Sequence, residues 1–134
     1  MKPYVFRLTK DTDLRIGIEE YLKEHEILNG SILSGVGCLS KVKIRLAKAK
    51  TFYEKTDDYE IVSLCGTSSL DGIHLHLSCS DSSGKTIGGH LAYGSLVNTT
   101  AEIVYLSFDE YELHRKFDPT TGYDELVVKK NKSF

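Results

Sequence analysis

The stretch that decides the fold is Gly72-Ile73-His74-Leu75-His76-Leu77-Ser78-Cys79-Ser80-Asp81, followed by Gly84 and by Gly88-Gly89-His90-Leu91. From Ile73 onward apolar and polar residues alternate. Ile73, Leu75, Leu77 and Cys79 form one set; His74, His76, Ser78 and Ser80 form the other. Alternation with a period of two is the signature of a half-buried strand. The apolar set faces the core, so both histidines point the other way, about 6.6 Å apart at ~3.3 Å of rise per residue. Asp81-Ser82-Ser83-Gly84-Lys85 reads as a turn, with Gly84 at the left-handed position that closes a three-residue hairpin loop. Counting outward from that loop sets His76 opposite His90, and directly opposed Cβ atoms lie ~4.5–5.5 Å apart. A two-residue loop would send His90 to the other face, since a slip of one residue inverts every side chain. Gly88-Gly89 is also a place for a bulge.

Three imidazoles on one face suit Zn²⁺ and similar metals, which bind neutral histidine at ~2.0–2.1 Å and keep a fourth position open for water or a ligand. His74, His76 and His90 are therefore the candidate metal ligands, with zinc the first choice of divalent metal. The alternative is a polar strand face that carries histidines without binding anything.

The remainder of the chain bounds the setting. Its 134 residues are enough for one domain with a proper core. No apolar run reaches the ~20 residues of a membrane span, and Met1-Lys2-Pro3-Tyr4-Val5-Phe6-Arg7 lacks the apolar core of a signal peptide. Cys38, Cys65 and Cys79 are odd in number, have no metal or redox spacing and sit in apolar runs. Buried free thiols in a reducing cytosol are the expectation. The net charge of −2 is a poor start for a nucleic-acid binder.

Tyr4–Thr9 reads as a strand. Asp11-Thr12-Asp13 offers N-caps for an amphipathic helix of about four turns, with Leu14, Ile18, Tyr21, Leu22 and His25 at helical spacing and Gly30 as its left-handed end. Residues 31–40 read as a buried strand followed by a glycine-permitted turn or bulge. In 41–46, Lys41, Lys43 and Arg45 share one face. The segment 41–50 holds five of the 17 basic residues and no acid. It is either an anion- or phosphate-tracking strip or a solvated strand face whose lysines blunt an edge. Thr51–Asp58 reads as a polar connection, Tyr59–Thr67 as a strand and Thr99–Phe108 as a strand buried on both faces. Glu102 in that last run is a structural acid, a partner of the metal ligands or an acid/base group; Asp81 is a second acid/base candidate. His25 and His114 stand apart, His114 exposed. Residues 129–134 are expected to be a frayed tail.

Several of these segments resemble the PPC (plants-and-prokaryotes conserved) domain family. They are Ser34-Gly35-Val36-Gly37, Tyr59–Gly66, His74-Leu75-His76 with Asp81 and Gly84, Gly88-Gly89-His90-Leu91, Thr100-Ala101-Glu102-Ile103, and Phe117-Asp118 with Thr121–Leu126. The resemblance covers nearly the whole chain. It implies an α+β fold: a single domain over residues 1–134 with an antiparallel/mixed β-sheet and one main N-terminal helix packed on it. This is the AF0104/acetolactate-decarboxylase-like class. It also implies a homotrimer of prokaryotic, free-standing type, described as DNA-binding or regulatory. The chain has no Arg-Gly-Arg-Pro core of an AT-hook, so minor-groove reading by that element is not carried over. A more distant resemblance is to acetolactate decarboxylase, which binds zinc through a His-x-His pair plus a later histidine.

The functional expectation is a cytoplasmic, trimeric, regulatory PPC-domain protein with a three-histidine divalent metal site. Any contact with DNA would be weak, salt-dependent and made through Lys41, Lys43 and Arg45. The alternatives are a metal-dependent enzyme acting on a small carbonyl or ester substrate at the same site, and a metal-free trimeric interaction module.

Overall fold

The computed structural model describes residues 1–132. Its elements are β1 (Lys2–Thr9), α1 (Leu14–Glu24), β2 (Gly30–Arg45), β3 (Phe52–Ser69), β4 (Gly72–Ser80), β5 (Thr86–Leu91), β6 (Leu96–Ser107), β7 (Tyr111–Asp118) and β8 (Tyr123–Lys130). Six strands form one sheet in the order β1-β6-β2-β3-β4-β5, and β7 pairs with β8 as a separate ribbon. Every pairing is antiparallel. The end of β5 also bonds to the end of β2, through Ile44 opposite Leu91 and Arg45 opposite His90, so β2-β3-β4-β5 closes into a ring. Gly89 permits the closure: a Cβ there would lie 2.6 Å from the Arg45 carbonyl oxygen. The core is Leu39, Ile44, Leu75, Leu77, Leu91, Val97, Ile103 and Tyr105 with their neighbours, covered by Leu14, Ile18 and Leu22 of α1. Each such leucine or isoleucine contributes about 1.5–3 kcal/mol by leaving water.

The helix starts where expected and ends sooner. Asp13 is its N-cap, its carboxylate accepting from the Ile16 backbone N–H at 3.1 Å and from the Gly94 N–H at 2.7 Å. The helix is 11 residues long, three turns rather than four. Glu26, at φ 55°, takes the left-handed closing position assigned to Gly30. The Ile27 N–H then reaches the Leu22 carbonyl at 2.9 Å and the Glu26 N–H reaches that of Lys23 at 3.1 Å, a Schellman closure. Gly30 instead opens β2, where a side chain would collide with the Tyr105 ring; the Tyr105 hydroxyl hydrogen-bonds Ser68.

Five further readings are corrected. Gly30–Arg45 is a single 16-residue strand, bent at shifts after Ile32, Gly37 and Leu39 rather than broken by a turn. Residues 52–58 belong to β3: Phe52 lies opposite Arg45, Glu54 opposite Lys43 and Thr56 opposite Lys41. Of the charges that mark this segment as a loop, Glu54 pairs across the strands with Lys41 and Lys43, and Lys55 pairs with Asp57 within β3. Because β2 lies between β6 and β3, its lysines blunt no edge. β6 is buried on one face only, Val97, Ala101, Ile103 and Tyr105 pointing in and Glu102 out. Lys129 and Lys130, placed in the frayed tail, are the last paired residues of β8, opposite Glu112 and Tyr111. Ser133 and Phe134 lie outside the described residues.

Candidate metal centre

The β4–β5 hairpin has the register read from its loop. The Asp81 N–H donates to the Lys85 carbonyl at 2.9 Å, and the Asp81 side chain accepts from the backbone N–H groups of Ser83 (2.9 Å) and Lys85 (3.0 Å). Gly84 has φ +83°, a conformation that strains other residues. Ser80 is opposite Thr86 and His76 opposite His90, with no bulge at Gly88-Gly89. Leu75, Leu77 and Cys79 are buried, as the alternation demands.

The three histidines consequently meet on the outer face. Their ring centroids are 5.1 Å (His74–His76), 5.4 Å (His74–His90) and 6.0 Å (His76–His90) apart. One nitrogen from each lies within 4.8 Å of the other two. Ligands of a tetrahedral zinc stand about 3.3 Å apart for ~2.0–2.1 Å bonds, so modest ring rotations close the set.

Electrostatics favour neutral rings at His74 and His90. Burial, then the positive charges of Arg115 and Arg45 and the neighbouring His76, hold His74 below the usual histidine range. Burial first, then Arg45 and Arg15, bring His90 down to about 4. A neutral imidazole keeps the lone pair that a metal needs. Nδ1 of His90 is buried and has no hydrogen-bond partner. A cation would satisfy that orphan, and the donor set fits a divalent metal.

Arg15 is the residue that sequence reasoning missed. Its Nη1 lies 3.3 Å from Nε2 of His90 and donates to the Leu91 carbonyl at 2.8 Å. Its Nε pairs with Glu19 at 3.1 Å, and its guanidinium lies over the Tyr93 ring at 4.7 Å. Arg15 thus ties α1 to the histidine hairpin. It also competes with any metal for the single lone pair of a neutral His90. Nothing in the local sequence marks it beyond its place beside Leu14, because the contact is long-range.

Two cavities flank the cluster. One, of about 330 Å³, lies between His74, His90, Arg45 and the β7–β8 ribbon, which contributes Arg115 and Tyr123. The other, of about 320 Å³, is lined by His76, His90, Arg45 and Lys48.

Other candidates are placed elsewhere. Glu102 sits opposite Arg7 of β1 and Val36 of β2, and its carboxylate accepts from the Thr100 hydroxyl at 3.3 Å. It is not among the groups that converge with the histidines. Asp81 is engaged in its own turn. Lys41 and Lys43 both pair with Glu54, at 2.8 and 3.7 Å, so of Lys41, Lys43 and Arg45 it is Arg45 that reaches the histidines. His25 caps α1 and stacks on Tyr21. His114, expected to be exposed, is half-buried and bonds Glu112. The thiols are not uniformly buried: Cys79 is, Cys38 is half-buried, and Cys65 is exposed on β3 opposite His76.

Known proteins share this fold. The model of the Plants and Prokaryotes Conserved (PCC) domain matches residues 1–109. The chain belongs to that family. Among curated relatives, the bifunctional protein GlmU of Synechococcus sp. (strain JA-3-3Ab) is 41% identical over 130 residues, 97% of this chain. Those residues are 21% of the relative, so the chain spans about a fifth of its length. The metal-containing protein AF0104 of Archaeoglobus fulgidus superposes with a TM-score of 0.79 at 27% identity, covering 95% of this chain and 94% of that one. A protein of Bacteroides thetaiotaomicron provisionally named as DNA-binding superposes with a TM-score of 0.85 at 25% identity, covering 93% and 91%. The PCC chain therefore shares its α+β fold with a protein that contains a metal. Among its described residues no helix is long and apolar enough to cross a membrane.

Proposed function

We propose that this PCC domain holds one divalent metal ion, zinc first, on His74, His76 and His90, and uses it to bind a small ligand in a regulatory role. The convergence of three imidazole nitrogens within 4.8 Å carries the reading. The metal content of the Archaeoglobus neighbour supports it. A metal with three protein ligands supplies an open coordination position and Lewis acidity. The chain's own residues supply the rest. The hairpin orients the rings, burial and the arginines keep those of His74 and His90 unprotonated, and the inner leucines hold the strand. Neither acid/base candidate, Glu102 nor Asp81, stands beside the histidines, which favours binding over turnover of a carbonyl or ester substrate.

The assembly is proposed as a homotrimer in the cytoplasm. Exposed Leu33 and Val36 on β2, with Val62 on the neighbouring β3, give an apolar surface consistent with self-association. Light scattering should return three times the chain mass of 15.0 kDa.

The deciding experiment is the metal content of purified, untagged protein by inductively coupled plasma mass spectrometry, with His76→Ala in parallel. Near one equivalent of zinc per chain, lost in the variant, is the expected result. No metal in the wild type after zinc is supplied and the excess removed would overturn the site and leave the metal-free interaction module. A second reading, DNA binding, draws on the designation of the Bacteroides neighbour. It predicts binding that weakens steeply as salt rises. Absence of binding at low ionic strength would remove it.

A further inference from the structure

We propose that the cavity of about 330 Å³ beside the histidines binds a small anion with one acid group, carboxylate or phosphate, recognised by Arg45 and Arg115. The two arginines come from separate parts of the fold. Arg45 ends β2 opposite His90, whereas Arg115 lies on β7, whose strand reaches the site through the Arg115 N–H donating to Asp71 at 2.8 Å. Both are half-buried. Lys41 and Lys43, on the same face as Arg45, are taken up by Glu54. Among the described residues, by contrast, Arg45 has no hydrogen-bond or ion-pair partner for its guanidinium. That of Arg115 makes one long contact, 3.4 Å to the Thr67 hydroxyl. Two partly desolvated guanidinium groups without carboxylate partners, in one cavity, are unusual, because each forfeits hydration. Guanidinium forks match the planar oxygens of a carboxylate or phosphate, with two parallel N–H donors per arginine.

The other charges limit the ligand. Asp71, Asp124 and Glu125 also line the cavity. Asp71 is engaged by the Arg115 backbone and lies 3.5 Å from His114. Asp124 and Glu125, from β8, repel a second acid group. The ligand is thus a small monoacid rather than a polyanion. The inference deepens the metal reading and rests on it only for the end of the ligand that faces the histidines. The arginine contacts stand without a metal.

The test titrates inorganic phosphate and, separately, lactate into the full chain freed of metal on a chelating resin, and again after zinc loading. The side-chain Nε–H resonances of both arginines are followed by NMR. Saturable shifts in the metal-free protein are expected, with affinity reduced at least tenfold in Arg45→Gln and in Arg115→Gln and unchanged in Lys43→Gln. Far-UV circular dichroism on each variant establishes that it folds, and Arg45→Lys should restore part of the affinity. Response to phosphate alone identifies a phosphoryl ligand, and response to lactate alone a carboxylate. No saturable binding of either anion, with or without zinc, or binding indifferent to both arginine substitutions, overturns the proposal. Zinc content measured on the same samples reports on the metal site separately.

Discussion

The outer face of the β4–β5 hairpin carries three imidazoles, and the outer face of the β2–β3 ribbon carries Lys41, Lys43 and Arg45. Both stand out in the sequence as clusters of chemistry-bearing side chains. In the folded chain they differ by what lies across from them. Lys41 and Lys43 meet Glu54, which they hold below the usual carboxylate range, Lys41 foremost. The histidines meet each other, Arg45 and a cavity. A cluster balanced by its neighbours is structure; a cluster whose neighbours leave it unsatisfied points outward to a ligand.

The largest effect that tests this contrast lies on the inner side of the histidine strand. Leu77→Ala should cost about 2–5 kcal/mol by opening a cavity in a packed core. His76→Ala, one residue away on the outer face, should change the metal-free protein by no more than about 0.5 kcal/mol. Urea melts of the two variants measure both. Comparable losses would mean that the histidine face is structural.

Acid should act next. His90 stays neutral in the folded protein down to about 4, whereas the unfolded chain takes its proton near pH 6.5. The unfolded state therefore binds more protons in that window, so stability falls as pH drops from about 6.5 to about 4 and this contribution is constant below. The lowered pKa of His74 acts in the same direction. Thermal melts of metal-free protein across this range should show the loss, and His90→Gln should flatten it.

A smaller effect concerns Arg15. Replacing it with glutamine removes a positive charge and a competitor for the His90 lone pair, so zinc should bind several-fold more tightly in a competition titration. Weaker binding would show that Arg15 serves mainly to hold the ring in place. The smallest effect is on the ribbon. Glu54→Gln should leave the melting temperature within replicate scatter, as exposed ion pairs contribute little. It frees Lys41 and Lys43, so any DNA binding should strengthen at low salt. No gain would remove the ribbon from the account of nucleic-acid binding.

The hairpin was legible in the sequence because local chemistry determines it. A strict alternation and one loop, with Asp81 and Gly84 at fixed positions, set the register of three histidines. Residues 52–58 misled because Glu54 is satisfied by lysines of a strand more than ten positions away, and a charged run without that partner looks like a loop. The helix end misled for a related reason. Gly30 satisfies a steric demand of Tyr105, distant in sequence, while Glu26 accepts the left-handed conformation. Arg15 and Arg115 reach the site only by tertiary packing, and neither carries a motif.

The β7–β8 ribbon makes the cavity a composite of two parts of the chain. The histidines and Arg45 fall within residues 1–109, matched by the family model, whereas Arg115 and Tyr123 come from the ribbon beyond it. The three histidines and one wall of the cavity beside them therefore come from different parts of the chain. Exchanging the ribbon between relatives would alter that wall and leave the histidines in place.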